Sequence, residues 1–174
     1  MKRNDSKKEK TKLSKSYKEF GKIVTISLII GIIVISGFII YNLLNPEPGF
    51  VTLGILNSEK RAENYPTNAM VGQNISFYIT VENHMKRDFS FRLEILRGDH
   101  KTVLTPSGSI NATSYYNTTK ITLVHKQFWM SEMLNVSFSQ PGPDQKIIAE
   151  LWEIHSSGIE EYFNMVYLWL TIFP

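Results

Sequence analysis

Four asparagines carry the side-chain chemistry that residue spacing singles out most clearly. Asn74-Ile75-Ser76, Asn111-Ala112-Thr113, Asn117-Thr118-Thr119 and Asn135-Val136-Ser137 are N-x-[ST] triplets. That pattern is the acceptor signal for N-glycosylation, which places its asparagine on an exported surface. Reactive constellations are missing. His84, His100, His125 and His155 are scattered, without the H-x-x-x-H pairing that would bring two imidazoles to one face. A metal site needs three or four converging ligands. Glu160-Glu161 is an adjacent acidic pair, and on a strand such neighbours point opposite ways. No G-x-S-x-G elbow, phosphate-cradling glycine loop or H-E-x-x-H helix occurs. The chain has no cysteine, which removes disulfides, thiolate metal ligands and cysteine nucleophiles. The expectation is a protein that is not an enzyme, with no catalytic residue, no cofactor and no metal.

Aromatic groups supply the remaining candidates. Phe128 and Trp129, followed by Met130, sit among Lys126, Gln127 and Glu132. Such rings stack on sugars or anchor a protein interface, and they serve equally well as a plug beneath a sheet. Tyr167 and Trp169 belong with Met165 and Phe173 to a second apolar row on the last strand, opposite Val166, Leu168, Leu170 and Ile172. A loop or the domain's own edge could cover that row, or a partner could. Tyr65-Pro66 is a stiff extended dipeptide, because proline biases its predecessor toward β or polyproline geometry. It reads as a loop organiser or as a partner-binding loop, with Glu63, Asn64 and Asn68 able to bond nearby backbone amides.

The elements that position these groups are strands. Ile75, Phe77, Ile79 and Val81 alternate with polar residues over Asn74–Glu82. Phe89, Phe91, Leu93 and Ile95 do so over Phe89–Arg97, and Leu134, Val136 and Phe138 face away from Asn135 and Ser137. A period of two is the signature of a half-buried strand. Further strands are expected at Phe50–Leu56, Thr102–Leu104, Lys120–His125, Lys146–His155 and Phe163–Phe173, with a helical turn possible at Met130–Leu134. Turn-rich stretches at Arg97–His100, Pro106–Ser109, Pro141–Asp144 and Ser156–Gly158 separate them. The fold class expected is mainly β, an immunoglobulin-like antiparallel β-sandwich over residues 50–174 preceded by one transmembrane α-helix. Asn111 and Asn117 fall in a polar loop, and Asn135 on the polar face of its strand.

Ile23–Leu44 is 22 residues without a charge. A helix of that length spans about 33 Å, against a hydrocarbon core of about 30 Å. Residues 1–22 hold nine basic and three acidic residues, a net +6, and the remainder ten basic and thirteen acidic, a net −3. The positive-inside rule puts the N-terminus in the cytoplasm and the β domain outside the cell membrane. The apolar run exceeds the usual 7–15 residues of a cleaved signal, so an uncleaved signal anchor is expected. The tail reads as a disordered basic segment attracted to membrane lipid, and residues 45–49 as a linker begun by Pro46 and Pro48. No fold or aromatic platform accompanies its charge, so no nucleic acid is expected. Ser27 and Gly31 form a small-xxx-small spacing that lets another helix approach closely.

Ala62-Glu63-Asn64-Tyr65-Pro66-Thr67-Asn68, then Val71-Gly72-Gln73-Asn74, then Val81-Glu82-Asn83-His84, with a closing Val166-Tyr167-Leu168-Trp169-Leu170, resembles the archaeal membrane-protein family known as domain of unknown function 1616. The resemblance covers roughly residues 50–173. It implies a sandwich-bearing archaeal envelope protein and no reaction or ligand. This chain differs in its one span, where many members carry several. The role expected is a membrane-anchored envelope protein whose outer sandwich is a non-catalytic interaction module for another envelope protein or a glycan. A filament subunit of pilin or archaellin type is the alternative, although Phe20-Gly21-Lys22 is a poor peptidase site. A solute-binding sensor or enzyme is the second alternative.

Overall fold

The computed structural model describes residues 5–44 and 48–174, with side chains from residue 17 onward. It divides into a helical unit, Met1–Glu47, and a β unit, Pro48–Pro174. Helix α1 runs Asp5–Leu44. Within it, Tyr17–Leu44 reaches a mean hydropathy of 2.9, with none of its most apolar window buried. By length and composition this helix is apolar enough to cross a membrane. Two of its polar side chains bond to backbone carbonyls inside the helix. Thr25 Oγ1 donates to Gly21 O at 2.9 Å, and Asn42 Nδ2 donates to Phe38 O at 2.8 Å.

The basic tail departs from expectation, being helical from Asp5 rather than disordered. Lys and Glu are good helix formers, and no Gly or Pro interrupts Asp5–Phe20. Growth from an existing helix avoids the costly nucleation step. Ser27 and Gly31 are one turn apart, and nothing lies within 4 Å of where a Gly31 Cβ would stand. Of the expected linker, residues 45–47 lie outside the described residues.

The β unit is a two-sheet sandwich of the immunoglobulin-like class. In the first sheet β1 (Val51–Asn57) pairs with β3 (Ile75–Asn83). The other side of β3 takes two short strands, β10 (Leu134–Val136) along its first half and β9 (Phe128–Met130) along its second. In the second sheet β12 (Glu160–Phe173), β11 (Gly142–Ile154) and β4 (Phe89–Gly98) are neighbours in that order. Beyond β4 the edge again splits, into β8 (Ile121–Leu123) and β7 (Thr113–Asn117). β2 (Asn68–Met70) lies parallel to the end of β12, so the sandwich is not wholly antiparallel. The chain crosses from the first sheet to the second between β1 and β2. β5 (Val103–Thr105) and β6 (Gly108–Ile110) form a separate hairpin.

The period-two patterns face as expected. Phe77, Ile79, Val81, Phe89, Phe91, Leu93 and Ile95 are all fully buried between the sheets. Burying one such side chain contributes about 1.5–3 kcal/mol. The helical turn expected at Met130–Leu134 does not form, because Met130 ends β9 and Leu134 begins β10. β2, β6, β7 and β9 lack a sequence signal. β7, Thr-Ser-Tyr-Tyr-Asn, is exposed at every residue and so carries no alternation to read.

The hairpin β5–β6 rests on the outer face of the second sheet. Glu150, only 2% exposed, accepts the Ser109 N–H and the Ser109 hydroxyl, both at 2.6 Å, and the Trp152 Nε1–H at 3.2 Å. Those donors satisfy a buried carboxylate that would otherwise be costly. Gly108 makes the approach possible: its φ is +117°, where a side chain is strained, and it lies against Glu150 and Tyr162. Burial, and then the charge of Glu150, push the Tyr162 phenol above its ordinary range.

Candidate functional site

The sandwich has two lateral edges, and the candidate residues divide between them. On one side the split edges β7/β8 and β9/β10 face each other across a groove of about 610 Å³. Tyr115, Tyr116, Trp129, Met133, Asn117 and Asn135 line it. Both sheets break here by the same device. At the gap in the first sheet, Ser131 donates its N–H to Ile79 O at 2.9 Å and its hydroxyl accepts the Ile79 N–H at 3.0 Å. At the gap in the second, Thr118 donates its N–H to Leu93 O at 3.0 Å and its hydroxyl accepts the Leu93 N–H at 2.9 Å. A side-chain oxygen replaces a strand carbonyl, so the central strand stays satisfied while the edge strand turns away. The two turnings open the groove.

Three of the four sequons stand on this side. Asn135 is opposite Ser76 on β3, and its Oδ1 accepts the Ser76 hydroxyl at 2.6 Å. Asn117 ends β7 rather than lying in a loop. Asn111 precedes β7 with a φ of +61°. Asn74, just before β3, is exposed like the other three. The Asn117 Oδ1 accepts from Arg92 Nη1 at 2.6 Å, and that guanidinium also meets Glu94 at 2.9 Å and Glu160 at 2.9 Å. Burial works against the Arg92 charge, and the hydrogen bonds and charges of Glu94 and Glu160 outweigh it, raising its pKa. Burial likewise pushes Glu94 up. Hydrogen bonds from Arg92 and Ser114 and the Arg92 charge win, and hold its carboxyl below the ordinary value.

Asn83 fixes the corner where this edge begins. It is fully buried. Its Nδ2 donates to Arg87 O and Leu123 O, both at 2.8 Å, and its Oδ1 accepts the Met85 N–H at 2.8 Å. Phe128 stays 55% exposed. Trp129 turns inward, half-buried and edge-on to Phe91 at 5.6 Å. The two members of that cluster are thus separated, one at the surface and one as a plug.

On the opposite side β1 lies against β12. Tyr65 belongs here: it packs on the core and donates its hydroxyl to Ile55 O on β1 at 2.7 Å. With half-buried Pro66 beside it, it straps the chain to the first sheet before β2 begins. Asn57 bonds the loop backbone in the way expected of Glu63, Asn64 and Asn68. Its Oδ1 accepts the N–H groups of Glu59 and Arg61, and its Nδ2 donates to Glu63 O.

Tyr167 and Trp169 lie on the outer face of β12, 47% and 58% exposed. Among the described residues no loop covers them. Their rings stack at 6.2 Å with 30° between planes, and Lys146 Nζ lies 5.8 Å from the Trp169 ring. Lys146 is itself held by Asp99 O and Asp144 O at 2.7 and 3.1 Å. Val166, Leu168, Leu170 and Ile172 point inward as expected. Among the described residues no group of three or more His, Asp or Glu is placed to hold a metal ion.

No family model and no curated protein matches the chain. Solved structures are similar to the chain at TM-scores below 0.5. The CARDB domain of a Pyrococcus furiosus protein, solved in complex with di-metal ions, is 16% identical with a TM-score of 0.45, over 72% of this chain and 90% of that one. A sporulation control protein from Bacillus subtilis is 6% identical with a TM-score of 0.44, over 71% and 49%. A β-glucosidase from Listeria innocua is 11% identical with a TM-score of 0.42, over 72% of this chain and 16% of that one.

Proposed function

We propose that the protein is a membrane-anchored envelope component whose β-sandwich is a non-catalytic interaction module on the outer side. Helix α1 supplies the anchor, its basic end in the cytoplasm against anionic lipid. The observation that carries the reading is the pair Tyr167–Trp169, two large stacked rings left in solvent beside a strand edge. Exposed aromatic pairs of this kind are enriched where proteins recognise partners. The partner is another protein of the envelope. Sugars on the groove-side sequons Asn111, Asn117 and Asn135 would leave the Tyr167–Trp169 side bare, whereas Asn74 lies beside Pro66 and Asn68. Kinship with the archaeal family named above is part of the proposal, supported by the Ala62–Asn68 run and the Val166–Leu170 closure.

Protease treatment of intact cells tests the topology. Digestion of the β unit in intact cells is expected, with the N-terminal tail cut only after cells are opened. Protection of the β unit until opening would contradict the orientation. Chemical crosslinking in native membranes tests the interaction role, and recovery of the uncrosslinked monomer alone would contradict it.

A further inference from the structure

β12 is bonded along its whole length to β11 on one side, but on its other side β2 reaches only Thr171–Phe173. Thr171 donates its N–H to Thr67 O at 2.9 Å, and Phe173 O accepts the Val71 N–H at 2.9 Å. The odd-numbered residues therefore turn their backbone groups to this edge, and Trp169 and Tyr167 continue that phase. Among the described residues no strand is hydrogen-bonded to them on this edge. Toward the N-terminal end the edge closes again, because Asn164 Oδ1 accepts the Met165 N–H at 2.8 Å and a bulge falls at Phe163. What remains open runs from the Met165 carbonyl to Trp169, centred on Tyr167.

This edge lacks the devices that keep strands apart. Tyr162–Pro174 contains no Asp, Glu, Lys or Arg and no proline before its last residue. We propose that the edge pairs with the same edge of a second copy, antiparallel about a two-fold axis at Tyr167. The proposal rests on the interaction role above and names its partner. Symmetry supports this occupant. An open stretch bounded at both ends admits only a strand that leaves the line within the same distance. The bulge at Phe163 of the second copy falls opposite Thr171, where β2 blocks further pairing. In that register Tyr167 faces Tyr167 of the second copy in a hydrogen-bonded pair, and Trp169 faces Met165 of the second copy, a favourable sulfur–aromatic contact. The four outer rings form one continuous exposed row. Anchoring in one membrane raises the effective concentration of copies for a short interface.

The test uses the full chain in detergent, with mass measured by light scattering during size exclusion and secondary structure by circular dichroism. Tyr167→Pro removes an outward N–H and leaves the β11 ladder intact, a substitution that edge strands accept. The expected result is a dimer for the parent and a monomer for Tyr167→Pro with an unchanged spectrum. Asn164→Ala, which frees the Met165 N–H, keeps the dimer. A parent that is monomeric, or a dimer that survives Tyr167→Pro, overturns the proposal. Should Tyr167→Pro unfold, Tyr167→Lys replaces it, placing like charges face to face, and the same two outcomes decide. Failure here leaves the interaction role to be judged separately by the crosslinking described above.

Discussion

The two lateral edges of the sandwich solve one problem in opposite ways. Any open sheet ends in strands whose outer backbone groups have no partner, and such edges invite pairing with other chains. On the groove side each terminal strand is cut in two, and Thr118 or Ser131 satisfies the central strand at the cut. Short, broken strands with sequons at Asn117 and Asn135 make a poor template for a further strand. On the other side β12 is long and uncharged from Tyr162 onward, with Tyr167 and Trp169 in solvent. The contrast teaches that exposure of the second edge is not a general looseness of the domain. The fold carries the means to close an edge and applies them to one side.

Breaking the corner that holds the closed edge has the largest expected effect. Asn83→Ala removes three hydrogen bonds and leaves buried backbone groups unpaired, a loss on the order of 3 kcal/mol. Thermal unfolding would show it as a fall in Tm of roughly 10 °C. Ser131→Ala and Thr118→Val each orphan one N–H of a central strand, at about 1–2 kcal/mol apiece by the same measurement. Trp169→Ser and Tyr167→Ser at the open edge touch no such bond. In the monomer their effect on chemical denaturation is within about 0.5 kcal/mol. Equal losses at both edges would erase the distinction.

Acid sharpens the comparison further, since the Arg92–Glu94–Asn117 network stands on the closed side. The folded-state pKa of Glu94 lies below the ordinary carboxylate value. Its contribution is therefore complete above that value and is lost as pH falls through the lowered folded pKa. Denaturation midpoints measured from pH 6 down to about 3 fall in the parent. Glu94→Gln is less stable at the upper end and loses less on acidification. A variant that tracks the parent throughout would remove Glu94 from the account. The smallest effect on the fold belongs to the sequons. Asn117→Gln and Asn135→Gln are each expected to lower the mass of the protein isolated from its own membranes by one glycan. Unchanged masses would leave the closed edge to its backbone devices alone.

Much of this was legible in the sequence, and the parts that were not share a cause. Residues that alternate because one face is buried, such as Phe89–Ile95 and Ile75–Val81, announce their strand and its inward side. The uncharged run Ile23–Leu44 announces its helix. β7 and β9 do not, because an edge strand too short or too exposed to alternate leaves no period. Thr118 and Ser131 were invisible for a different reason: their work depends on Leu93 and Ile79, distant in the chain, and any hydroxyl residue looks alike locally. The exposure of Tyr167 and Trp169 could not be decided from the strand itself. It depends on what the rest of the chain lays over the outer face of β12. The helical tail shows the converse limit, where composition favoured disorder and continuity with an existing helix prevailed.

A cysteine-free chain allows the central claim to be tested with single cysteines in native membranes. Tyr167→Cys and Asn135→Cys place one thiol on each edge. Antiparallel hydrogen-bonded neighbours lie about 5.5 Å apart at Cα, within disulfide range. Mild oxidation is predicted to give a covalent dimer with Tyr167→Cys and none with Asn135→Cys. A dimer through Asn135→Cys, or none through Tyr167→Cys, would contradict the assignment of one closed and one joining edge.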